Sequence, residues 1–363
     1  MNHATETPPL FEFTDEHRAL REMLRQRFET AYTGWRELAD EAGIEDLLFG
    51  DEHSEFRGSA IDLAILAEEA GAALYGGPVV SMAVASALAD AAGDAGWPNP
   101  AGARTPLAAV DARLFGTRSS AGPELRGTAA TPWLSGRIEP VWDIDGAELI
   151  VCTATDSADG SPAVAVLPAD TDAVTVTPLS GLDLSRRVGR VDCAEVEPLR
   201  VLRDDAARRA LAAMRARADL VLAAESLGVA RHALDRTIEY VGGRVQFGRS
   251  IGSFQAVKHR LADLLAQVEL TRSAVYGAAW ALTTAPDAPD TEIDLAVAAS
   301  LATDTAVTVT KATVQLHGGI AITWEHWAHR YLRRAHAVAA QTGGAPHYRR
   351  RLATLVDDRD GRS

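Results

Sequence analysis

The sequence predicts an α+β chain of three units, and three observations carry that prediction. Residues 12–94 have the apolar period of helices. From about Gly96 to Leu202 the texture changes to short runs rich in Val, Thr and Ile, separated by Asp, Gly and Pro. From Asp204 onward the helical period returns in long blocks. The expected organisation is an N-terminal helical domain over 10–95, a middle antiparallel β domain over 96–203, and a C-terminal four-helix bundle over 204–357.

Each element has a local cause. Thr14-Asp-Glu-His17 can cap a first helix whose apolar face includes Leu20, Leu24 and Phe28. Gly50 to Gly58 reads as a polar loop. A second helix is expected over about 60–74, with Ile61, Ile65 and Leu66 inward and Glu68 and Glu69 outward. Gly76-Gly77-Pro78 stops it, and the helical pattern restarts over Val79 to Ala92. In the middle region, runs 148–154, 163–167 and 173–177 read as strands of a small antiparallel barrel or sandwich. The C-terminal blocks span 206–240, 253–283, about 290–316, and 329–356. Pro286 and Pro289 mark the break between the second and third.

Bulk composition narrows the partners. A formal charge of -14 disfavours nucleic acid, which needs clustered Lys and Arg. It leaves room for an anionic ligand held by a local arginine patch. Cys152 and Cys193 have no metal spacing and read as small buried apolar residues in a reducing compartment. No uncharged apolar run reaches the ~18 residues of a membrane span. The polar start, Met1 to Pro9, lacks the apolar core of a signal peptide, so a cytoplasmic location is expected.

Two segments stand out. Arg244-Val-Gln-Phe-Gly-Arg-Ser-Ile-Gly-Ser-Phe-Gln255 joins a Gly-punctuated, Arg-flanked turn to the start of a helix. Gln315-Leu-His-Gly-Gly319 ends a later helix in paired glycines. Arg is a bidentate fork for phosphate, Phe247 offers an apolar surface, and glycines at 318 and 319 let a ligand approach the main chain. On spacing alone the same residues also suit a helix hairpin with solvated arginines and glycine C-caps.

Together these segments resemble the C-terminal helical domain of acyl-CoA dehydrogenases, FAD enzymes that desaturate acyl-CoA thioesters. The resemblance covers about residues 205–340 closely and the remainder by region order. It implies FAD as cofactor, with Arg244, Gln246, Phe247, Gln315, Gly318 and Gly319 clasping a flavin that lies in a neighbouring protomer. It also implies an acyl-CoA substrate and an electron-transferring flavoprotein as acceptor.

The residues expected to perform the reaction depart from the family pattern. A carboxylate must take the proton next to the thioester carbonyl. Alignment on Gly318-Gly319 places Thr342 at one family base position, and alignment on Gly228 and Arg244 places Ala218 at the other. Neither is a carboxylate, so no catalytic residue is assigned. Glu139-Pro-Val-Trp142 stands where a flavin-contacting Trp-x-Thr segment belongs. The acidic Gly-containing loop is not recognisable between Thr105 and Glu124, and Gly50-Asp-Glu-His-Ser54 replaces the usual N-terminal turn. Asp219, Glu225 and Glu325 read as solvated or capping carboxylates. His317, His326 and His329 lack a third acidic ligand at useful spacing, and no metal is expected.

This selective loss resembles the short partner in heteromeric acyl-CoA dehydrogenases that act on bulky, steroid-type acyl-CoAs. The leading expectation is a hetero-oligomer, α2β2 in form, in which this chain supplies the clasp to a catalytic homologue. A self-sufficient homo-oligomer with a relocated base, Asp219 or Glu225, is a second reading. A flavin-free assembly protein of the same fold is a third.

Overall fold

The structure is a computed structural model describing residues 12–29, 34–50, 58–93, 107–115, 122–128 and 130–360. Most of the expected Gly50–Gly58 loop and of the loop between Thr105 and Glu124 lies outside these residues. The N-terminal region contains α1 (Asp15–Glu29), α2 (Trp35–Ala42), α3 (Ile44–Phe49), α4 (Ala60–Ala72) and α5 (Val79–Ala92). At the head of α1, the Thr14 hydroxyl accepts from the His17 amide while His17 Nδ1 accepts from the Thr14 amide. Ser59 and Asp62 make the same reciprocal arrangement at α4. The short helices α2 and α3, meeting at left-handed Gly43, were not foreseen.

Helix α4 corrects one expectation. Glu68 and Glu69 do not face outward; they are 0% and 2% exposed. Burial of both carboxylates is offset by guanidinium groups from three other helices, described below.

The middle region is one sheet of β1 (Ala108–Asp111), β2 (Glu124–Gly127), β3 (Pro132–Trp142), β4 (Leu149–Asp156), β5 (Pro162–Pro168), β6 (Val174–Leu179), β7 (Val188–Val196) and β8 (Arg200–Leu202). The strand order is β6-β7-β3-β1-β4-β5-β8, with β2 also between β3 and β4. The sheet is not purely antiparallel. Both β1 and β2 run antiparallel to β3 and parallel to β4. They act as one interrupted strand, broken after a 3-10 turn over Ala112–Phe115. Proline at 140 cannot donate to the ladder, and the β3–β7 register slips between Ile138 and Val141. Cys152 and Cys193 are buried free thiols, as expected from composition.

From Asp204 the chain is helical: α6 (Asp204–Gly243), α7 (Gln255–Thr284), α8 (Pro289–His317), α9 (Ala328–Thr342) and α10 (Gly344–Asp360). A short hairpin of β9 (Val245–Gln246) and β10 (Arg249–Ser250) separates α6 from α7. The block expected as one helix over 329–356 is two, divided by Gly343 and Gly344, whose φ values of 78° and 63° lie outside the helical region. Helices α6, α7, α8 and α10 make the bundle, with α8 at its centre. The segment Pro289–Ile322 is long and apolar enough to cross a bilayer, yet 61% of its most apolar window is buried inside the protein.

One core runs through the N-terminal helices, the bundle and one face of the sheet; a second fills the sheet's other face. The tightest crossing is between α4 and α6. A Cβ on Gly71 would meet the Glu225 carbonyl oxygen at 2.1 Å, and one on Gly228 would meet that of Glu68 at 1.9 Å. Only hydrogen fits at either position.

Candidate functional site

The two segments singled out by sequence lie together at one end of the bundle. The Arg244 amide donates to Tyr240 O, closing α6. The Tyr240 ring stacks on His317 at 4.1 Å. The His317 Nδ1–H donates to Thr313 O at 2.8 Å, which orients its ring at the end of α8. This contact sets the β9–β10 hairpin beside the Gly318–Gly319 turn.

The hairpin's connecting pair is Phe247 and Gly248, with φ of 52° and 75°. Two positive φ values match the twist of a two-residue hairpin loop, and the second residue is the one a glycine suits. The geometry leaves Phe247 91% exposed. Arg249 lies over the Phe254 ring at 4.0 Å. Arg244, Gln246 and Gln315 are all exposed. Gly318 has φ 69° and ψ -150°, a region essentially restricted to glycine. No heavy atom lies within 4 Å of where a Cβ would stand on Gly318 or Gly319. Ile320, Ile322 and Trp324 extend the same face, at 51%, 73% and 67% exposed. The arrangement presents guanidinium, amide, aromatic and bare backbone groups outward, and among the described residues nothing covers them.

The positions aligned with the family's base lie in a closed interior. Thr342 is 0% exposed. Its hydroxyl donates to Val338 O at 2.9 Å and accepts from the Gly344 amide at 3.3 Å, so it finishes α9. Next to it, Gln341 Nε2 donates to Ala112 O at 2.8 Å, tying α9 to the turn after β1. Ala218 is 1% exposed.

Asp219 and Glu225 are not solvated as the sequence suggested. Asp219 accepts from Tyr348 Oη at 3.1 Å and pairs with Arg351 at 2.5 Å. Burial is the largest influence on its carboxyl and pushes its pKa up, against these partners. With both oxygens engaged, it is poorly placed to receive a substrate proton. Glu225 pairs with Arg186 at 2.6 Å and with Arg334 at 3.1 Å. Arg334 also contacts Asp183 and donates to Ser185 Oγ and to Tyr75 O. Burial opposes ionisation of Glu225 and Asp183, but the guanidinium groups hold both pKa values below the ordinary range. Asp143 accepts from the Ser81 hydroxyl at 2.6 Å, and burial raises its pKa against the opposing pull of Arg186. Trp142, buried beneath the sheet, packs on Arg186 at 4.3 Å. Glu325 is exposed, as a solvated carboxylate would be.

A second ionic cluster escaped sequence reasoning. Glu68 is held by Arg21 at 2.8 Å, Arg231 and Arg272 at 3.0 Å each, and the Tyr276 hydroxyl at 2.6 Å. Glu69 pairs with Arg21, Arg25 and Arg231. The arginines that hold it lie on α1, α6 and α7, distant in sequence from residues 68 and 69. Of the three histidines considered for metal, His317 stacks on Tyr240, and His329 Nε2–H donates to Trp324 O at 3.2 Å. His326 stacks on Trp327 and accepts from the Ala328 amide.

Known proteins complete the picture. Residues 201–353 match the family model described as "Acyl-CoA dehydrogenase, C-terminal domain". Acyl-CoA dehydrogenase IpdE2 of Mycobacterium tuberculosis is 32% identical over 89% of this chain and 86% of its own length. Acyl-CoA dehydrogenase FadE34 of the same organism is 34% identical over 94% of this chain, which spans only 48% of FadE34. Among solved structures, the ChsE4-ChsE5 complex from Mycobacterium tuberculosis matches with TM-score 0.81 and 25% identity, covering 96% of this chain and 99% of that one. A chain of the Tcur3481-Tcur3483 steroid ACAD matches with TM-score 0.81 and 27% identity, over 95% and 99%. Fold, bundle motifs and full-length relatives agree, and the chain belongs to the acyl-CoA dehydrogenase family of oxidoreductases.

Proposed function

We propose that this chain is one subunit of a heteromeric, FAD-dependent acyl-CoA dehydrogenase, in which it clasps a flavin whose reacting ring lies in a homologous partner. The carrying observation is the contrast between the two ends of the bundle. The clasp groups are exposed and uncovered, while the base positions are a buried threonine and a buried alanine. The nearest carboxylates are occupied by arginines.

The exposed end fits a dinucleotide. Arg244 can fork onto phosphate oxygens, Gly319 leaves its amide open to close approach, and Phe247 can pack on a flat ring. When bound, FAD supplies the acceptor for a hydride from the acyl chain. The contribution of this chain is to bind and orient; proton removal falls to a carboxylate of the partner. The similar ChsE4-ChsE5 complex and the Tcur3481-Tcur3483 steroid ACAD each carry the names of two polypeptides, which favours a bulky acyl-CoA as substrate and an α2β2 assembly. An electron-transferring flavoprotein is the proposed acceptor, and the cytoplasm the proposed location.

The test is to purify the chain alone and with a co-expressed homologue that carries the base. The expected result is a colourless, inactive chain alone and a yellow complex with less than one FAD per chain. A FAD-saturated homo-oligomer that oxidises an acyl-CoA would overturn the proposal. So would a stable complex without flavin.

A further inference from the structure

Away from the clasp, a cleft of about 260 Å³ opens between α6, the start of α10 and the turn Ala112–Phe115. Its lining is unlike the rest of a chain that carries a net charge of -14. Arg215, Arg350 and Arg351 all face it, with His347. One carboxylate, Asp219, lies at its floor and is taken by Arg351, which also pairs with Glu292 at 2.7 Å. Among the described residues, neither Arg215 nor Arg350 has a carboxylate within 4 Å. The first turn of the 17-residue α10 contains no acidic residue to offset these guanidinium groups. Leu114 and Phe115 form an apolar wall, and Phe115 is fixed by packing on Trp142 at 4.9 Å.

We propose that this cleft is a second ligand site, taking a compact organic oxyanion with a flat apolar body. Two guanidinium groups with no carboxylate in contact, Arg215 and Arg350, select a carboxylate or phosphate, which accepts two parallel N–H bonds from each fork. The apolar wall selects against a bare inorganic ion, and the volume limits the ligand to roughly ten non-hydrogen atoms. The site does not depend on where the flavin ring lies. Neither Thr342 nor Ala218 lines it.

Phenyl phosphate and benzoate are suitable probes, titrated by calorimetry into the full chain, or into its complex if the chain purifies that way. Saturable binding of either probe is expected, with Kd of about 1 mM or tighter. The probe that binds better identifies the headgroup. Inorganic phosphate should bind at least about fivefold more weakly than phenyl phosphate. Arg215→Ala/Arg350→Ala alters two exposed side chains, so the fold should persist, and it should weaken the better probe at least about tenfold. The proposal is overturned if neither probe saturates, or if the double variant binds as the parent does. Equal affinity for inorganic phosphate would also overturn it. Flavin content of the complex provides an independent reading: a fall in the double variant would assign the cleft to the flavin site instead.

Discussion

Arg334→Met tests whether the junction between sheet and bundle depends on paired charge. Arg334 is 1% exposed and neutralises both Glu225 and Asp183, which are also buried. Methionine keeps much of the volume and removes the charge, leaving two carboxylates with Arg186 alone. Breaking a buried pair from one side costs about 3–5 kcal/mol, chiefly for the stranded partner. For 363 residues, an unfolding entropy of about 2.1 cal/mol/K per residue makes 1 kcal/mol equal to roughly 1.3 °C, so the expected fall in Tm is about 4–7 °C.

The pH dependence follows from the carboxyl shifts. The Glu225 and Asp183 pKa values are depressed in the folded chain, so their contribution is complete above the ordinary carboxylate range and is lost as pH falls through the depressed values. The deficit of the variant should therefore be largest near neutral pH and shrink in acid. Thermal unfolding at fixed protein concentration, read by circular dichroism from neutral to acid pH, measures both. Arg334→Met/Glu225→Gln should recover part of the loss, because the stranded charge is gone. A fall below about 2 °C for Arg334→Met, or strictly additive effects in the double variant, would refute the reasoning.

Other outcomes are expected. Arg244→Ala should leave the exposed hairpin folded yet weaken flavin retention in the complex by ~1.5–3 kcal/mol, or about tenfold to a hundredfold, measured by flavin fluorescence on dilution. Gly319→Ala should not change the Tm of the isolated chain, since nothing lies within 4 Å of the new methyl, but should lower flavin retention where a ligand approaches the backbone. Gly228→Ala should prevent soluble folding or lower Tm by several degrees, because its methyl would overlap a carbonyl oxygen on α4. Thr342→Glu should create no acyl-CoA oxidation in the isolated chain and should destabilise it, as it buries a carboxyl where a hydroxyl now bonds Val338 O. Acyl-CoA turnover and urea unfolding check the two halves of that prediction.

The order of helical, strand-built and helical regions was legible because hydrophobic period depends on neighbours a few residues apart. The turns at 244–250 and 318–319 were legible as turns because glycine and arginine stand there, where backbone conformation limits the choice. What escaped was set by distant partners. Glu68 and Glu69 look like a solvated pair on α4, yet their arginines lie at positions 21, 25, 231 and 272. Asp219 and Glu225 misled in the same way, being paired with residues on α10, α9 and the loop before β7. The pairing of β1 and β2 with β4 in parallel was also hidden, since strands four residues long carry little directional information. The break between α9 and α10, by contrast, was written in Gly343-Gly344 and was overlooked within a long apolar period.

The crossing of α4 and α6 at Gly71 and Gly228 also limits how the molecule can move. Side chains at most helix contacts act as compliant spacers, able to change rotamer while axes slide. Here carbonyl oxygens meet bare α-carbons, so the joint has no such cushion and resists both compression and roll. The N-terminal helices and the 40-residue α6 therefore travel as one plate. Any opening that admits a ligand must be taken up at the sheet or at the exposed hairpin.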